Sequence, residues 1–152
     1  MRIAVGSDHA GFEMKTDLAR HLTSSGHEVL DQGTHSTDRV DYPDFGEAVA
    51  RSVAQGEAEL GVVVCGSGNG IAMAANKVPG ARAAVAHDVT SARMARAHNE
   101  ANVLALGERF IGPQVALDAL DAFIATDFDG GRHTARVAKL AQLDRRNGQE
   151  PT

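Results

Sequence analysis

Tryptophan is absent from this 152-residue chain, and cysteine and tyrosine each occur once. A single cysteine excludes an internal disulfide and is typical of a protein that works in a reducing compartment. Because aromatic residues make up only 4% of the sequence, the core must consist mainly of aliphatic side chains and alanine. We therefore expect alanine-rich helices that pack closely against a sheet and against one another.

An excess of positive charge and a long apolar run are also missing. The formal net charge is −5, which argues against nucleic acid or an anionic membrane as the main partner. No apolar segment approaches the length that crosses a bilayer, and residues 1–6 are strand-like and too short for a signal peptide. These features predict one cytoplasmic domain, in which a small anionic ligand would need a local basic cluster.

The most informative segment of the chain is a strand-like run that leads into a glycine-rich turn. Residues 62–64 are three valines, Cys65 follows, and residues 66–70 read GSGNG before an alanine-rich segment. This order predicts a buried parallel strand, a tight loop and a helix N-terminus, whose free N–H groups attract anions. Cys65 lies at the carboxyl end of the strand, where open α/β sheets bind ligands. The spacing matches neither a Walker A loop nor a clean dinucleotide fingerprint.

Predicted strands and helices alternate along the whole chain. Strands are expected at 2–6, 28–31, 62–65, 82–86 and 102–106; helices are expected at 12–24, 44–55, 89–98, after 66–70, from Pro113, and from Arg132. This alternation predicts a single three-layer, doubly wound α/β domain with a five-stranded parallel sheet, Rossmann-like or flavodoxin-like. The domain is expected to span residues 1–146, with 147–152 as a disordered tail. Residues 33–44 form a long polar connection, which suggests a binding loop.

Several polar residues allow both a structural and a functional interpretation. Asp8 and His9 follow the first strand, where Asp8 either caps a helix or meets a ligand and His9 is either solvated or functional. Tyr42, in the predicted loop, is either a packing residue or part of a pocket wall. His98 and Asn99 end the fourth helix, where a histidine either complements the helix dipole or acts as an acid or base.

A basic pair begins the last helix. Arg132 and Arg136 are four residues apart and therefore project from one helix face, an arrangement that suits a phosphate. A solvated surface pair is the alternative. No metal-ligand spacing links Cys65 with the scattered histidines His21, His27, His35 and His87. We therefore predict no metal site and no cofactor.

Taken together, the motifs resemble the type B ribose-5-phosphate isomerases, a family that includes the galactose-6-phosphate isomerase subunits. The resemblance covers about residues 2–146. Its motifs are Gly6-Ser7-Asp8-His9-Ala10-Gly11-Phe12, Asp41-Tyr42-Pro43, Cys65-Gly66-Ser67-Gly68-Asn69-Gly70, Ala74-Ala75-Asn76-Lys77, Ala97-His98-Asn99 and Gly130-Gly131-Arg132-His133. It implies a metal-independent isomerase that interconverts ribose 5-phosphate and ribulose 5-phosphate through a cis-enediolate. The resemblance also implies a homodimer or tetramer with sites shared between subunits.

The resemblance further implies catalytic roles. Cys65 is expected to be the general base, because Ile71 and Ala72 stand where relatives can carry a glutamate just past the loop. His98 is expected to open the furanose ring, with Asp8 assisting at the ring oxygens. Ser67 is expected to shuttle a proton between the sugar oxygens.

Substrate-binding roles follow in the same way. The oxyanion is expected to meet the backbone N–H groups of Gly66, Gly68, Asn69 and Gly70. The phosphate is expected to meet His9, Arg132 and Arg136, with Arg109 as a further candidate. Asn99 is expected to bind a sugar oxygen, and Tyr42 to line the pocket. The family arrangement predicts that His98, Asn99 and Arg109 face Cys65 across the dimer interface.

Two alternative functions remain open from the sequence. A non-catalytic domain that binds a phosphosugar or a nucleotide would need the glycine loop and the arginines, but it would need no base and no ring opener. The joint presence of Cys65, His98 and Asp8 favours an enzyme over such a domain. An isomerase of a tetrose or hexose phosphate would need the same residues, since the sequence does not define how deep the pocket is.

Overall fold

Five strands and six helices alternate in the computed structural model, which describes residues 1–148. The strands are β1 (Arg2–Ser7), β2 (Glu28–Asp31), β3 (Leu60–Cys65), β4 (Ala83–Val85) and β5 (Val103–Gly107). The helices are α1 (Phe12–Ser24), α2 (Tyr42–Ala54), α3 (Asn69–Asn76), α4 (Val89–Asn99), α5 (Pro113–Ala125) and α6 (Arg132–Asn147). A short 3-10 helix, His9–Gly11, precedes α1.

The strands form one parallel sheet in the order β2-β1-β3-β5-β4. One core lies between the sheet and helices α1, α4 and α5, and a second core lies between the opposite face and helices α2 and α3. The predicted three-layer, doubly wound α/β fold is therefore confirmed.

The central strand β3 explains why its sequence is continuously apolar. Val62 and Val64 point into the core beneath α1 and α5, whereas Val63 and Cys65 point into the core beneath α2 and α3. Every residue of β3 is buried, because helices cover both faces of a parallel sheet. This alternation fixes the side of the sheet on which the Cys65 thiol lies.

The second helix begins earlier than the sequence predicts. We expected Tyr42 in a loop and a helix from Asp44, but Tyr42 is the first residue of α2. The reason is local: Asp41 is extended, and Pro43 occupies the first turn, where its missing N–H costs no intrahelical bond. The predicted binding loop is shorter in consequence, and Tyr42 is held by a helix.

The last helix also extends further than predicted, since α6 continues to Asn147, inside the expected tail 147–152. Residues 149–152 of that tail lie outside the described residues. Within residues 1–148, none of the helices is both long enough and apolar enough to cross a membrane.

Candidate active site

The carboxyl ends of β1 and β3 border an open pocket of about 360 Å³. β1 and β3 are neighbours in the sheet, but the helices that follow them pack on opposite faces, which opens a crevice between the strand ends. We call it the Cys65 pocket. Its lining residues are Asp8, His9, Ala10, Tyr42, Cys65, Gly66, Ser67, Gly70, Arg109 and Phe110.

The Cys65 side chain is buried at the base of the glycine loop. The Gly68 N–H donates a hydrogen bond to Cys65 Sγ at 3.1 Å, and the Asn69 N–H donates to Ser67 Oγ at 3.1 Å. Gly68 precedes α3 with a φ of 82°, and a methyl group there would lie 3.0 Å from the Leu106 carbonyl carbon. Only glycine suits this position. The N-terminus of α3 therefore supplies donors that stabilise negative charge on the thiol or on a bound oxygen.

Tyr42 lies directly against the loop. A methyl group on Gly70 would come within 2.7 Å of the Tyr42 ring, so the absence of a side chain at Gly70 leaves room for the aromatic ring. Tyr42 remains 41% exposed. It forms one wall of the Cys65 pocket, and its contact with a substrate stays a prediction.

Asp8 fits both interpretations that the sequence left open, because it caps a helix and also lines the pocket. Its Oδ1 accepts hydrogen bonds from the N–H groups of Ala10 at 2.9 Å and Gly11 at 3.1 Å, which caps the 3-10 helix. The Asp8 N–H donates to the Val64 carbonyl at 3.3 Å. The same carboxylate lines the Cys65 pocket. Capping thus fixes the carboxylate in the position where a ligand would meet it.

His9 is half-buried, not fully solvated. Its Nδ1 lies 3.1 Å from the Val40 carbonyl oxygen and 3.2 Å from the Val40 nitrogen, so it either donates to the carbonyl or accepts from the N–H. The contact holds the ring against the connection between β2 and α2. Nε2 is then the nitrogen available for a ligand.

Arg109 departs from its expected place. We expected it to face Cys65 from a partner subunit together with His98 and Asn99, but it lines the Cys65 pocket of its own chain. The Arg109 N–H donates to the Gly66 carbonyl at 3.0 Å, and a methyl group on Gly66 would lie 3.2 Å from Arg109 Nη1. The cause is sheet order: β5 is the neighbour of β3, so the residues after β5 reach the glycine loop directly.

A second pocket, also of about 360 Å³, lies near the end of α4 and the start of α6. We call it the His98 pocket. It shares no lining residue with the Cys65 pocket; its residues are His98, Asn99, His133, Arg136, Val137 and Leu140. Most predicted site residues are therefore divided, within one chain, between two separate pockets, whereas Gly68, Asn69 and Arg132 line neither.

His133 stacks on His98 with ring centroids 4.4 Å apart and an interplanar angle of 13°. Burial lowers the pKa of His133, and the positive charges of His98, Arg132 and Arg136 lower it further, whereas Asp129 raises it. Sequence reasoning assigned His133 no role, although the residue is part of a quoted motif between the two arginines. Only the meeting of α4 and α6 reveals the stack.

The ligand atoms of His98, His133 and Asp129 lie within 4.8 Å of one another. A tetrahedral metal ion needs lone pairs that converge on one point. The two imidazole rings are stacked and nearly parallel, so their in-plane lone pairs lie in separate planes and do not point at one position. The three residues as arranged do not fit a tetrahedral ion.

Known proteins of one family are similar to this chain over nearly its full length. A family model described as Ribose/Galactose Isomerase matches residues 3–140. Ribose-5-phosphate isomerase B of Escherichia coli (strain K12) is 43% identical over 145 residues, covering 95% of this chain and 97% of that protein. Ribose-5-phosphate isomerase B of Mycolicibacterium paratuberculosis (strain ATCC BAA-968 / K-10) is 44% identical over 153 residues, covering 99% and 96%.

Solved structures give the same result. The structure of Clostridium thermocellum ribose-5-phosphate isomerase B superposes with a TM-score of 0.95 at 50% identity, covering 97% of this chain and 99% of that one. The Trypanosoma brucei type B enzyme superposes with a TM-score of 0.90 at 47% identity, covering 93% and 97%. The resemblance seen in the sequence motifs is thus confirmed, and the chain belongs to the ribose/galactose isomerase family.

Proposed function

We propose that the chain interconverts ribose 5-phosphate and ribulose 5-phosphate and that Cys65 is the general base. The chain is an isomerase of sugar phosphates, the activity named for relatives that it matches over almost their whole length. One observation carries the role of Cys65: its thiol lies in the pocket at the N-terminus of α3, with the Gly68 N–H donating to Sγ at 3.1 Å.

This arrangement supports proton transfer between C1 and C2. The Cys65 thiolate removes the proton from C2 of the open-chain aldose, and that electron pair forms the C1–C2 double bond of a cis-enediolate while charge moves to O1. The loop N–H groups at residues 66–70 stabilise that oxyanion. Ser67 or Asp8 carries a proton between O1 and O2, and the thiol returns its proton to C1 to give the ketose.

Phosphate binding and ring opening need both pockets. His9 and Arg109 lie in the Cys65 pocket, whereas His98 and Arg136 lie in the other. We therefore propose a homodimer, or a tetramer made of two such dimers, in which the His98 pocket of one subunit faces the Cys65 pocket of its partner. In that arrangement His98 opens the furanose ring, Asn99 binds a sugar oxygen, and the arginines with His9 hold the phosphate.

Replacement of Cys65 by alanine tests the assignment. Cys65→Ala should lower kcat by ~10²-fold or more, because a positioned general base is lost, and it should leave binding of ribose 5-phosphate within about twofold because the phosphate-binding residues remain. Calorimetry measures binding and a coupled assay measures turnover. Near-normal turnover in the variant would show that the base is another residue.

A second substrate class has a specific observation in its favour. The matching family model is described for galactose as well as ribose isomerases. Turnover on four-, five- and six-carbon sugar phosphates compares the candidates directly. Ribose 5-phosphate should have the highest kcat/KM; a higher value on a hexose or tetrose phosphate would replace the proposed substrate and keep the reaction type.

A further inference from the structure

The segment that follows β5 crosses the carboxyl end of the central strand. The Glu108 N–H donates to the Cys65 carbonyl at 3.0 Å, and the Arg109 N–H donates to the Gly66 carbonyl at 3.0 Å. These two bonds fix the backbone at Glu108 against the loop that carries the thiol. A movement of this segment would therefore be transmitted to Cys65.

The Glu108 side chain extends from this point to the first turn of α1. Its Oε1 accepts a hydrogen bond from the Met14 N–H at 2.7 Å, across 94 residues of sequence. N–H groups in the first turn of a helix have no partner within the helix. The residue preceding α1 is Gly11, which has no side chain to act as a cap. Glu108 thus provides a cap for α1 from a distant part of the sequence.

The capped turn directly follows the segment that carries Asp8 and His9. The 3-10 helix that begins at His9 runs directly into α1, and Asp8 caps that 3-10 helix. Asp8 therefore fixes the turn internally, while Glu108 fixes the turn relative to the Cys65 loop. The two carboxylates hold the same short segment at its two ends.

We infer that Glu108 is a positioning residue, which sets the distance between the Asp8–His9 turn and the Cys65 loop through its bonds to Met14 and Cys65. The inference rests on the function proposed for the Cys65 pocket. Glu108 is not among the residues that line the Cys65 pocket. It acts by holding Asp8 and His9 where a substrate bound over Cys65 would meet them.

The charges around Glu108 determine which variant is informative. Burial raises the pKa of Glu108, and the carboxylates of Glu13, Asp17 and Asp8 raise it further, whereas the Met14 N–H lowers it. Negative charge on Glu108 is therefore less favourable here than in water, while the bond to Met14 uses the side chain as a hydrogen-bond acceptor. Glutamine offers the same acceptor without the charge.

Four variants separate the acceptor from the charge. Glu108→Ala removes both, Glu108→Asp keeps the charge but is too short to reach Met14, and Glu108→Gln keeps the acceptor. Glu13→Ala removes an exposed carboxylate from the same turn and is the matched control. We expect kcat to fall about tenfold in the alanine and aspartate variants, and to stay within about twofold in the glutamine and control variants. Each is assayed well below its own Tm.

Amide hydrogen exchange at residues 10–14 supplies a readout independent of turnover. Exchange should accelerate in Glu108→Ala and Glu108→Asp and stay slow in Glu108→Gln. Equal loss of kcat in Glu108→Gln and Glu108→Ala would overturn the inference, as would accelerated exchange with unchanged kcat. Full activity of Cys65→Ala would instead overturn the proposed base and leave the exchange result standing.

Discussion

At the scale of single residues, the pocket uses the same atoms for folding and for chemistry. Asp8 Oδ1 caps the 3-10 helix while its carboxylate lines the pocket, and the N–H of Gly68, the residue before α3, donates to Cys65 Sγ. A side chain held by backbone bonds loses little further freedom when substrate binds. Groups that are already held in place can stabilise charge in the transition state without first having to reorganise.

Loss of the His98 imidazole should affect cyclic substrates most. His98→Ala should lower turnover of ribose 5-phosphate, which must open its ring, more than turnover of an aldose phosphate too short to form a furanose. The ratio of kcat/KM for the two substrates measures the effect. Equal losses on both would show that His98 serves another purpose, and Met94→Ala, an exposed change on the same helix, should leave the ratio unchanged.

Removal of one guanidinium should weaken binding rather than catalysis. Arg136 lines the His98 pocket, so Arg136→Ala should raise KM by the equivalent of ~1.5–3 kcal/mol, the value of one charge-assisted hydrogen bond, with kcat nearly unchanged. Steady-state kinetics separate the two parameters. Arg20→Ala, which removes an exposed arginine paired with Asp17 on α1, is the control. A large fall in kcat with constant KM would contradict the phosphate role.

At the scale of secondary-structure elements, close backbone packing positions the pocket. Gly11 lies so near β3 that a methyl group there would come within 2.5 Å of the Val64 carbonyl oxygen. Gly107 is equally restricted, since its methyl group would lie 2.5 Å from the Ser67 carbonyl oxygen. The start of α1 and the end of β5 therefore both pack closely against residues 64–67, the segment that carries Cys65.

Two glycine variants test this packing. Gly11→Ala should destabilise the fold by about 1–3 kcal/mol, because a backbone carbonyl and not a flexible side chain meets the new methyl group. Gly112→Ala is the matched control: its φ is −74°, and nothing lies within 4 Å of the added methyl group. Thermal unfolding should show a Tm lower by several degrees for the first variant only. An unchanged Tm for Gly11→Ala would mean that α1 can move away from β3 without cost.

Local sequence signals predicted the elements well. The valine run and the glycine loop are determined by residues close in sequence, and the structure places both as expected. The cap of α4 is equally local, with Asp88 Oδ1 accepting from the Ser91 N–H at 2.7 Å. The start of α2 was wrong by two residues, because Pro43 fits a first helical turn as well as it fits a loop.

At the scale of the whole molecule, what the sequence could not show is which residues meet. The positions of Arg109 and Glu108 depend on β5 lying beside β3, and the contact of Glu108 with Met14 joins residues far apart in the chain. The motifs grouped Cys65 and His98 into one site, and the prediction that two chains build it came from the family resemblance alone, because no local sequence pattern carries that information. In the structure of one chain, Cys65 and His98 line two separate pockets.

Exposed apolar side chains near these pockets support association of two chains. Phe110, at the edge of the Cys65 pocket, is 64% exposed, and Leu140, in the His98 pocket, is 43% exposed. Covering such side chains is favourable at about 25 cal/mol per Å² of apolar surface. Burial of both edges against each other would bring His98 of one chain toward Cys65 of the other.

Subunit mixing tests the shared site directly. In a dimer of one Cys65→Ala chain and one His98→Ala chain, one site carries both lesions and the other carries neither. Activity should therefore reappear when the two inactive variants are mixed. It should approach about a quarter of wild type, because random exchange makes about half of the dimers mixed and each mixed dimer has one intact site.

The matched control mixes Cys65→Ala with the double variant Cys65→Ala/His98→Ala, which can form no intact site in any combination. It should stay inactive, whereas a site built within one chain would leave both mixtures inactive once subunit exchange has been verified by mass spectrometry. Recovery in the first mixture alone would show that two chains build the site, with Arg109 on the Cys65 side of it. Because that residue already lies beside Cys65 in its own chain, the partner would need to supply only His98, Asn99 and the arginines of α6 to complete the site.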